Sequence, residues 1–207
     1  MTVTNEYRRD LRDKIISYAM KEFYTRGVKA VKMDEISKGL HVSKRTVYEI
    51  FGDKEELLLA GLREQDDKVR KLLEQFALMD NHNVIDIICY FYRLQMELSG
   101  KIGILFYEEI HRIPRIVEYL KENHDRGVKE RMRFFEVGVR EGLFRSDVDF
   151  SLVSKMSYIT MNEFVHQQMY KQCSIISLFE NYFIIIVRGI CTERGLALLD
   201  KGMKGML

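Results

Sequence analysis

The sequence predicts an all-α protein. Three observations carry this. Only one proline stands among 207 residues. Leu, Ile, Met, Lys, Glu and Arg are plentiful, as helices prefer. Apolar positions recur at helical spacing along most of the chain. Strands and Pro-rich linkers have little place in such a composition.

The first helix is expected over about Tyr7–Thr25. Leu11, Ile15, Ala19 and Phe23 fall at i+4 intervals on one face, and Gly27 supplies the stop. The second covers about Met33–Leu40, with Met33, Ile36 and Leu40 along one side. The third covers about Ser43–Phe51. Ser43 is its N-cap, Val47, Ile50 and Phe51 point inward by spacing, and Gly52 ends it. Asp53 and Glu56 then form a capping-box pair that opens a fourth helix, running to about Leu78.

Asp80-Asn81-His82-Asn83 breaks the pattern. Helices are expected over Val84–Leu98 and Ile102–Ile110, and Pro114 opens a long one to about Glu141. After the connection Gly142–Asp147 come helices over about Phe150–Lys171 and Ile175–Leu199. The short Cys173-Ser174 junction makes the last two antiparallel neighbours. About nine helices result. They divide into an N-terminal module, residues 1–52, and a larger helical domain, residues 53–207, joined by the helix at about 53–78.

Net charge is +2, distributed unevenly. Residues 1–51 hold 11 Lys and Arg against 7 Asp and Glu, a balance of +4, and the remainder carries −2. The N-terminus has no apolar signal region, and the longest apolar run, Tyr182–Val187, falls far short of the roughly 20 residues that span a bilayer. A cytoplasmic protein without a membrane partner is expected. Cys89, Cys173 and Cys191 are widely spaced and odd in number, which fits buried free thiols and neither a disulfide framework nor a zinc site.

The distinctive chemistry lies in residues 28–57. A recognition helix presents small or basic side chains at its N-terminal turn, because that end enters the major groove. Ser43, Lys44, Arg45 and Thr46 meet this demand. An arginine at such a position is suited to bidentate contact with guanine O6 and N7. Tyr48 lies one turn beyond Lys44, in reach of phosphate or sugar. Lys32 and Met33 open the second helix and Lys54 the fourth, where backbone N–H groups also favour phosphate. Double-stranded DNA is the expected partner.

Residues 8–57 resemble the DNA-binding domain of the TetR family of bacterial transcriptional repressors. The matching segments are IISYAMKEFYTRG (Ile15–Gly27), MDEI (Met33–Ile36) and VSKRTVYEIFGDKEEL (Val42–Leu57). The resemblance implies backbone contacts from Lys32 and Met33. It implies reading or phosphate contacts from Lys44, Arg45, Thr46 and Tyr48, and a phosphate contact from Lys54. Two departures stand out. His41 occupies a turn position usual for glycine, and Lys32 replaces a hydroxyl residue before the second helix. The resemblance further implies an operator-binding homodimer and a small-molecule effector.

In the larger domain, the last helix carries two apolar stripes. One is Ile176, Phe179, Phe183, Ile186 and Ile190; the other is Ile175, Leu178, Tyr182 and Ile185. One stripe can face the chain's own core and the other a second copy, with Phe179, Phe183, Ile186 and Ile190 as the candidate dimer surface and the outward stripe left open by the sequence. The resemblance implies an effector cavity in this region, and Phe91, Tyr92, Phe106, Tyr107, Phe134, Tyr158, Met161 and Phe164 suit it to a largely apolar or aromatic ligand that releases a repressor. An alternative is a helical metal-dependent oxidoreductase. Glu108-x-x-His111 and Glu163-x-x-His166 have the spacing of paired di-iron motifs. With no phosphate loop, nucleophile elbow or Cys–His pair present, no catalytic residue, metal or cofactor is assigned.

Overall fold

The computed structural model describes residues 2–79 and 82–204, and the side chains of residues 2–5 and of Ile175 are not described. Among the described residues there are eleven α-helices, one 3₁₀ turn and no strand. They are α1 (Thr2–Arg26), α2 (Met33–Gly39), α3 (Lys44–Phe51), α4 (Lys54–Ala77), α5 (Val84–Ser99), α6 (Ile104–Ile110), α7 (Pro114–Arg126), α8 (Val128–Arg140), α9 (Phe150–His166), the turn Met169–Lys171, α10 (Ile175–Ile190) and α11 (Glu193–Gly202). The chain forms two compact units. One takes Met1–Lys68 and Lys101–Leu120, the other Val69–Gly100 and Lys121–Leu207. The division falls within α4 and α7.

The first unit is built on the apolar face of α1. Ile15, Ala19 and Phe23 are fully enclosed, and Ile36 of α2, Val47 of α3 and Leu57 of α4 complete the same core. Helix ends fall where the local chemistry puts them. Gly27 and Gly52 take positive φ beyond α1 and α3. Ser43 Oγ accepts from Thr46 N at 3.0 Å, and Asp53 Oδ1 accepts from Glu56 N at 2.7 Å. Glu56 does not return the capping bond; its carboxylate pairs with Arg115 at the start of α7.

The turn between α2 and α3 settles the His41 departure. His41 has φ 55°. Val42 N donates to Ser37 O at 3.0 Å and His41 N to Lys38 O at 3.1 Å, the paired bonds of a Schellman motif with histidine in the left-handed position. Gly39 has a different task. A Cβ there would lie 2.2 Å from the Tyr18 hydroxyl, so glycine admits Tyr18 against α2.

The second unit has its own core, in which Ile85 and Tyr92 of α5 meet Leu143, Phe144, Ile190 and Leu199. Asn83 and Asp86 make a reciprocal capping box at the start of α5. Asp80 and Asn81, part of the expected break before it, lie outside the described residues. Three expectations are corrected. The helix expected from Pro114 to Glu141 is two, divided at Gly127. The one expected over Phe150–Lys171 ends at His166, and left-handed Gln168 (φ 52°) leads into the 3₁₀ turn. The last helix stops at Ile190, and Thr192 caps α11 by accepting from Gly195 N at 3.1 Å. Cys89 and Cys191 are buried as expected, and burial pushes the Cys191 thiol up to about 11. Cys173 is exposed, because it sits in the turn between α9 and α10.

Candidate nucleic-acid interface

Helix α3 has two unlike faces. Val47 and Phe51 are buried, whereas Ser43, Lys44, Arg45 and Tyr48 are exposed and Thr46 is half-buried. The inward pair anchors the helix, and the outward set is cationic and polar. Carboxylates on the same surface hold the cations. Arg45 Nε donates to Glu49 Oε1 at 2.7 Å, one turn along α3, with the Arg45 side chain 87% exposed. Lys44 Nζ lies 2.8 Å from Asp34 Oδ1 of α2 and 5.7 Å from the Tyr48 ring centroid. The hydrogen bond to Asp34 raises the pKa of Lys44. Ser43 Oγ is occupied by its cap and by Thr46 Oγ1 at 2.7 Å, so its contribution is to shape the helix start.

Lys32 is exposed at the N-cap of α2 and makes no side-chain cap bond. The side chain of its neighbour Met33 is buried in the core, at 5% exposure. Met33 can meet phosphate only through its backbone N–H, which as a first-turn donor has no acceptor within the helix.

Lys54 opens α4. Its ammonium turns inward and donates to Val28 O at 2.8 Å and Val31 O at 3.0 Å, and burial lowers its pKa. Glu109 of α6 secures the same loop, its Oε2 accepting from Lys29 N at 2.7 Å. The segment leading into α2 is therefore clamped by an ammonium from α4 and a carboxylate from α6. Sequence reading missed Glu49, Asp34 and Glu109. The i+4 spacing of Arg45 and Glu49 was a usable signal; the other two act across elements and leave none.

The residues expected around an effector do not form one group. Phe106 and Tyr107 belong to the first unit, where Phe106 is core and packs edge-on against Tyr24 at 4.9 Å. The other six fall in the second. Tyr92 is enclosed and its hydroxyl donates to Glu180 Oε1 at 3.2 Å. Burial and then that carboxylate push the hydroxyl up to about 12. Phe91 faces Phe183 at 6.2 Å, Phe134 packs on Phe135 and Phe144, and Phe164 meets Tyr182. Tyr158 stacks on His124 at 4.0 Å, and Met161 is exposed. A shallow groove between α10 and α11 is lined by Phe183, Val187, Leu199 and Met203 among others, and by none of the eight expected residues.

The first apolar stripe of α10 packs largely within its own unit. Phe179 and Phe183 stack towards Tyr92 at 6.1 and 5.1 Å, and Ile190 is 5% exposed, so these residues serve the unit's own core, with Ile186 half-buried. On the same helix Ile185, from the other stripe, is 69% exposed. Leu152, Met156 and Ile159 of α9 are exposed at 4,3 spacing, and α9 has no buried residue.

The metal motifs are otherwise engaged. Glu108 pairs with Arg112 at 2.6 Å and His111 Nδ1 lies 2.8 Å from Tyr107 O, while Glu163 accepts from Gln167 at 2.6 Å. Among the described residues no group of three or more His, Cys, Asp or Glu is placed to hold a metal, and no helix is long and apolar enough to cross a membrane.

Residues 15–60 match the family model of the bacterial regulatory proteins, tetR family. No curated protein matches the chain. Similar solved structures include a transcriptional regulator from Saccharomonospora viridis in complex with choline, at 16% identity and a TM-score of 0.67, covering 89% of this chain and 100% of that one. A TetR-family transcriptional regulator from Marinobacter aquaeolei is 16% identical, with a TM-score of 0.66 and coverage of 92% and 98%. The ketosteroid transcriptional regulator of Mycobacterium tuberculosis is 21% identical, with a TM-score of 0.56 and coverage of 88% and 95%. At these identities the structures share the fold.

Proposed function

We propose that this chain is a DNA-binding transcriptional regulator of the tetR family, acting in the cytoplasm as a homodimeric repressor whose hold on an operator is released by a small molecule. The division of labour gives residues 1–52 to DNA and residues 53–207 to effector and partner. The observation that carries the reading is the two-faced α3, anchored by Val47 and Phe51 and presenting Lys44, Arg45 and Tyr48 outward. Arg45 reads a base edge; Lys32, Lys44 and the first-turn N–H groups of α2 take phosphates.

The exposed apolar residues of α9 and α10, Leu152, Met156, Ile159 and Ile185, support a second copy as partner. Large apolar side chains aligned on one face mark an interaction surface. Twinned recognition helices spaced by whole DNA turns multiply weak half-site binding. The choline and ketosteroid named for two similar structures support a small-molecule input. Such a ligand acts only through unequal affinity for the DNA-competent and DNA-incompetent conformations.

The test is selection of bound duplexes from a random-sequence pool. Enrichment of an inverted repeat, with half-sites about 10–10.5 base pairs apart or a multiple of that, supports the reading. Failure of wild-type protein to enrich any sequence, or enrichment unchanged by Arg45→Ala, refutes it.

A further inference from the structure

One cation of the second unit has no ordinary explanation. Arg131 lies one turn into α8, and its guanidinium is half-buried. Nη2 donates to His124 O, at the end of α7, at 2.7 Å and lies 3.4 Å from His124 Nδ1. Nε is enclosed by protein and has no acceptor. Among the described residues no carboxylate pairs with it; Asp125 and Glu130 act on it only at longer range. Gly127 makes the room: a Cβ there would lie 2.6 Å from Arg131 Nη1. The His124 ring beside it stacks on Tyr158 of α9, with planes 21° apart.

The bland reading is that Arg131 caps the C-terminus of α7. That accounts for one N–H of the five that a guanidinium carries. A lysine would cap as well, with no enclosed donor left over. Arginine cannot shed its charge, so its withdrawal from water is a standing cost unless an anion answers it. Burial is the largest influence on Arg131 and lowers its pKa. The neighbouring His124 is pushed in the same direction, by burial first and then by Arg131. His124 is therefore held towards its neutral form and does not compete as a second cation. A planar donor edge beside a flat aromatic pair matches an oxyanion attached to an apolar or aromatic body.

We propose that Arg131 is the anchor of the effector site, and that the effector is an organic carboxylate with an apolar body. This rests on the reading of the chain as a ligand-released regulator and narrows the chemistry of the ligand. The carboxylate oxygens accept from the open side of the guanidinium and answer the charge whose Nε is shut off from water, while His124 and Tyr158 border the body of the ligand.

Thermal unfolding of the full chain tests this with octanoate and benzoate at up to millimolar concentrations. Octanol, benzyl alcohol, inorganic phosphate and choline serve as comparison arms. A carboxylate at tenfold its Kd is expected to raise the midpoint by about 3–6 °C, with the matched alcohol well below it. The shift disappears in Arg131→Gln and falls by at least half in Arg131→Lys, which keeps the cap and the charge but loses the planar fork of donors. The lysine variant carries the test if the glutamine variant does not fold. The proposal is overturned if neither carboxylate shifts the wild type, if the alcohols shift it equally, or if the shift survives both substitutions. A response to phosphate alone overturns the apolar body, and a response to choline alone overturns the charge. In either of those cases release of selected operator DNA by the same compound still supports a ligand-responsive regulator. Operator binding that no compound changes, beside a carboxylate shift that depends on Arg131, defeats instead the release mechanism.

Discussion

Replacing Lys54 with methionine separates two accounts of this residue. Methionine keeps most of the apolar stem and removes only the ammonium. In the folded chain that ammonium holds Val28 O and Val31 O, at 2.8 and 3.0 Å. Hydrogen bonds from a charged donor contribute about 1.5–3 kcal/mol each, so two set an upper figure of about 3–6 kcal/mol. Partial burial reduces it twice. Solvent screens a half-exposed group, and the lowered pKa of Lys54 records that burial opposes its charge. About 2 kcal/mol remains once these discounts are applied to the hydrogen-bond figure. For a chain of this size that lowers the thermal midpoint by about 4–8 °C. DNA affinity falls too, because the loop that aims α2 is loosened, but the dependence of affinity on salt keeps its slope. A lysine that touched phosphate gives the opposite pattern: unchanged stability and a slope flatter by about one unit. Urea denaturation and anisotropy titrations across a salt series decide between them. Unchanged stability in Lys54→Met together with a flatter slope refutes the inward role.

Three further outcomes follow from the geometry. Arg45→Ala should reduce discrimination at one base pair by about one to two orders of magnitude. Glu49→Gln, which loosens the 2.7 Å tie on Arg45 Nε, should produce a weaker relaxation at the same position, checked by competition with single-base operator variants; an effect at a different base pair rejects the pairing. Ile185→Arg or Ile159→Arg should shift a dimer towards monomer in sedimentation while leaving helicity intact, whereas Phe183→Ala should instead destabilise the fold by about 1.5–3 kcal/mol, below the full-core range because the ring is half-buried. Dimers that persist in both arginine variants remove this face as the interface. The pKa of His124 is lowered from 6.5 in the folded chain, so the unfolded chain takes up its proton first as pH falls. Its contribution is complete above about pH 6.5 and is lost on acidification through the folded pKa; the midpoint difference between wild type and His124→Gln should therefore shrink from about pH 7 to about pH 5, and a difference that grows reverses the sign.

Local chemistry made much of the first unit legible. Gly27, Gly52, Ser43 and Asp53 end or open helices because each satisfies a backbone demand that sequence neighbours alone define. Even the cost at His41 was foreseeable, since the left-handed turn position was identifiable before its φ of 55° was known. The misreadings concern direction. The two stripes of α10 are equally apolar, and only the enclosed Tyr92 on α5 decides that Phe179 and Phe183 turn inward. Met33 stands next to exposed Lys32 and Lys54 lies between Asp53 and Glu55, yet each side chain is turned into the unit by contacts from elsewhere. The division at Gly127 was missed for a similar reason. A lone glycine in a helical pattern is ordinarily a tolerated weakness, and its use here depends on a guanidinium four residues away.

The pairing of cations on the candidate DNA face bears on how such a surface chooses its site. Lys44 is tied to Asp34 and Arg45 to Glu49. Exposed ion pairs of this kind are worth little to folding. Their effect on binding is larger, because each carboxylate meets the same phosphate field that draws its partner in. Non-specific attachment, which is almost wholly electrostatic, is thereby weakened. Contact with a correct base edge is affected less. The guanidinium of Arg45 has donors to spare after Nε is given to Glu49, and the tie holds its outer fork in one direction. A face of bare lysines would bind more DNA and distinguish it less well; one in which carboxylates hold the cations gives up affinity for arbitrary sequence and keeps it where a guanine stands in line with that fork.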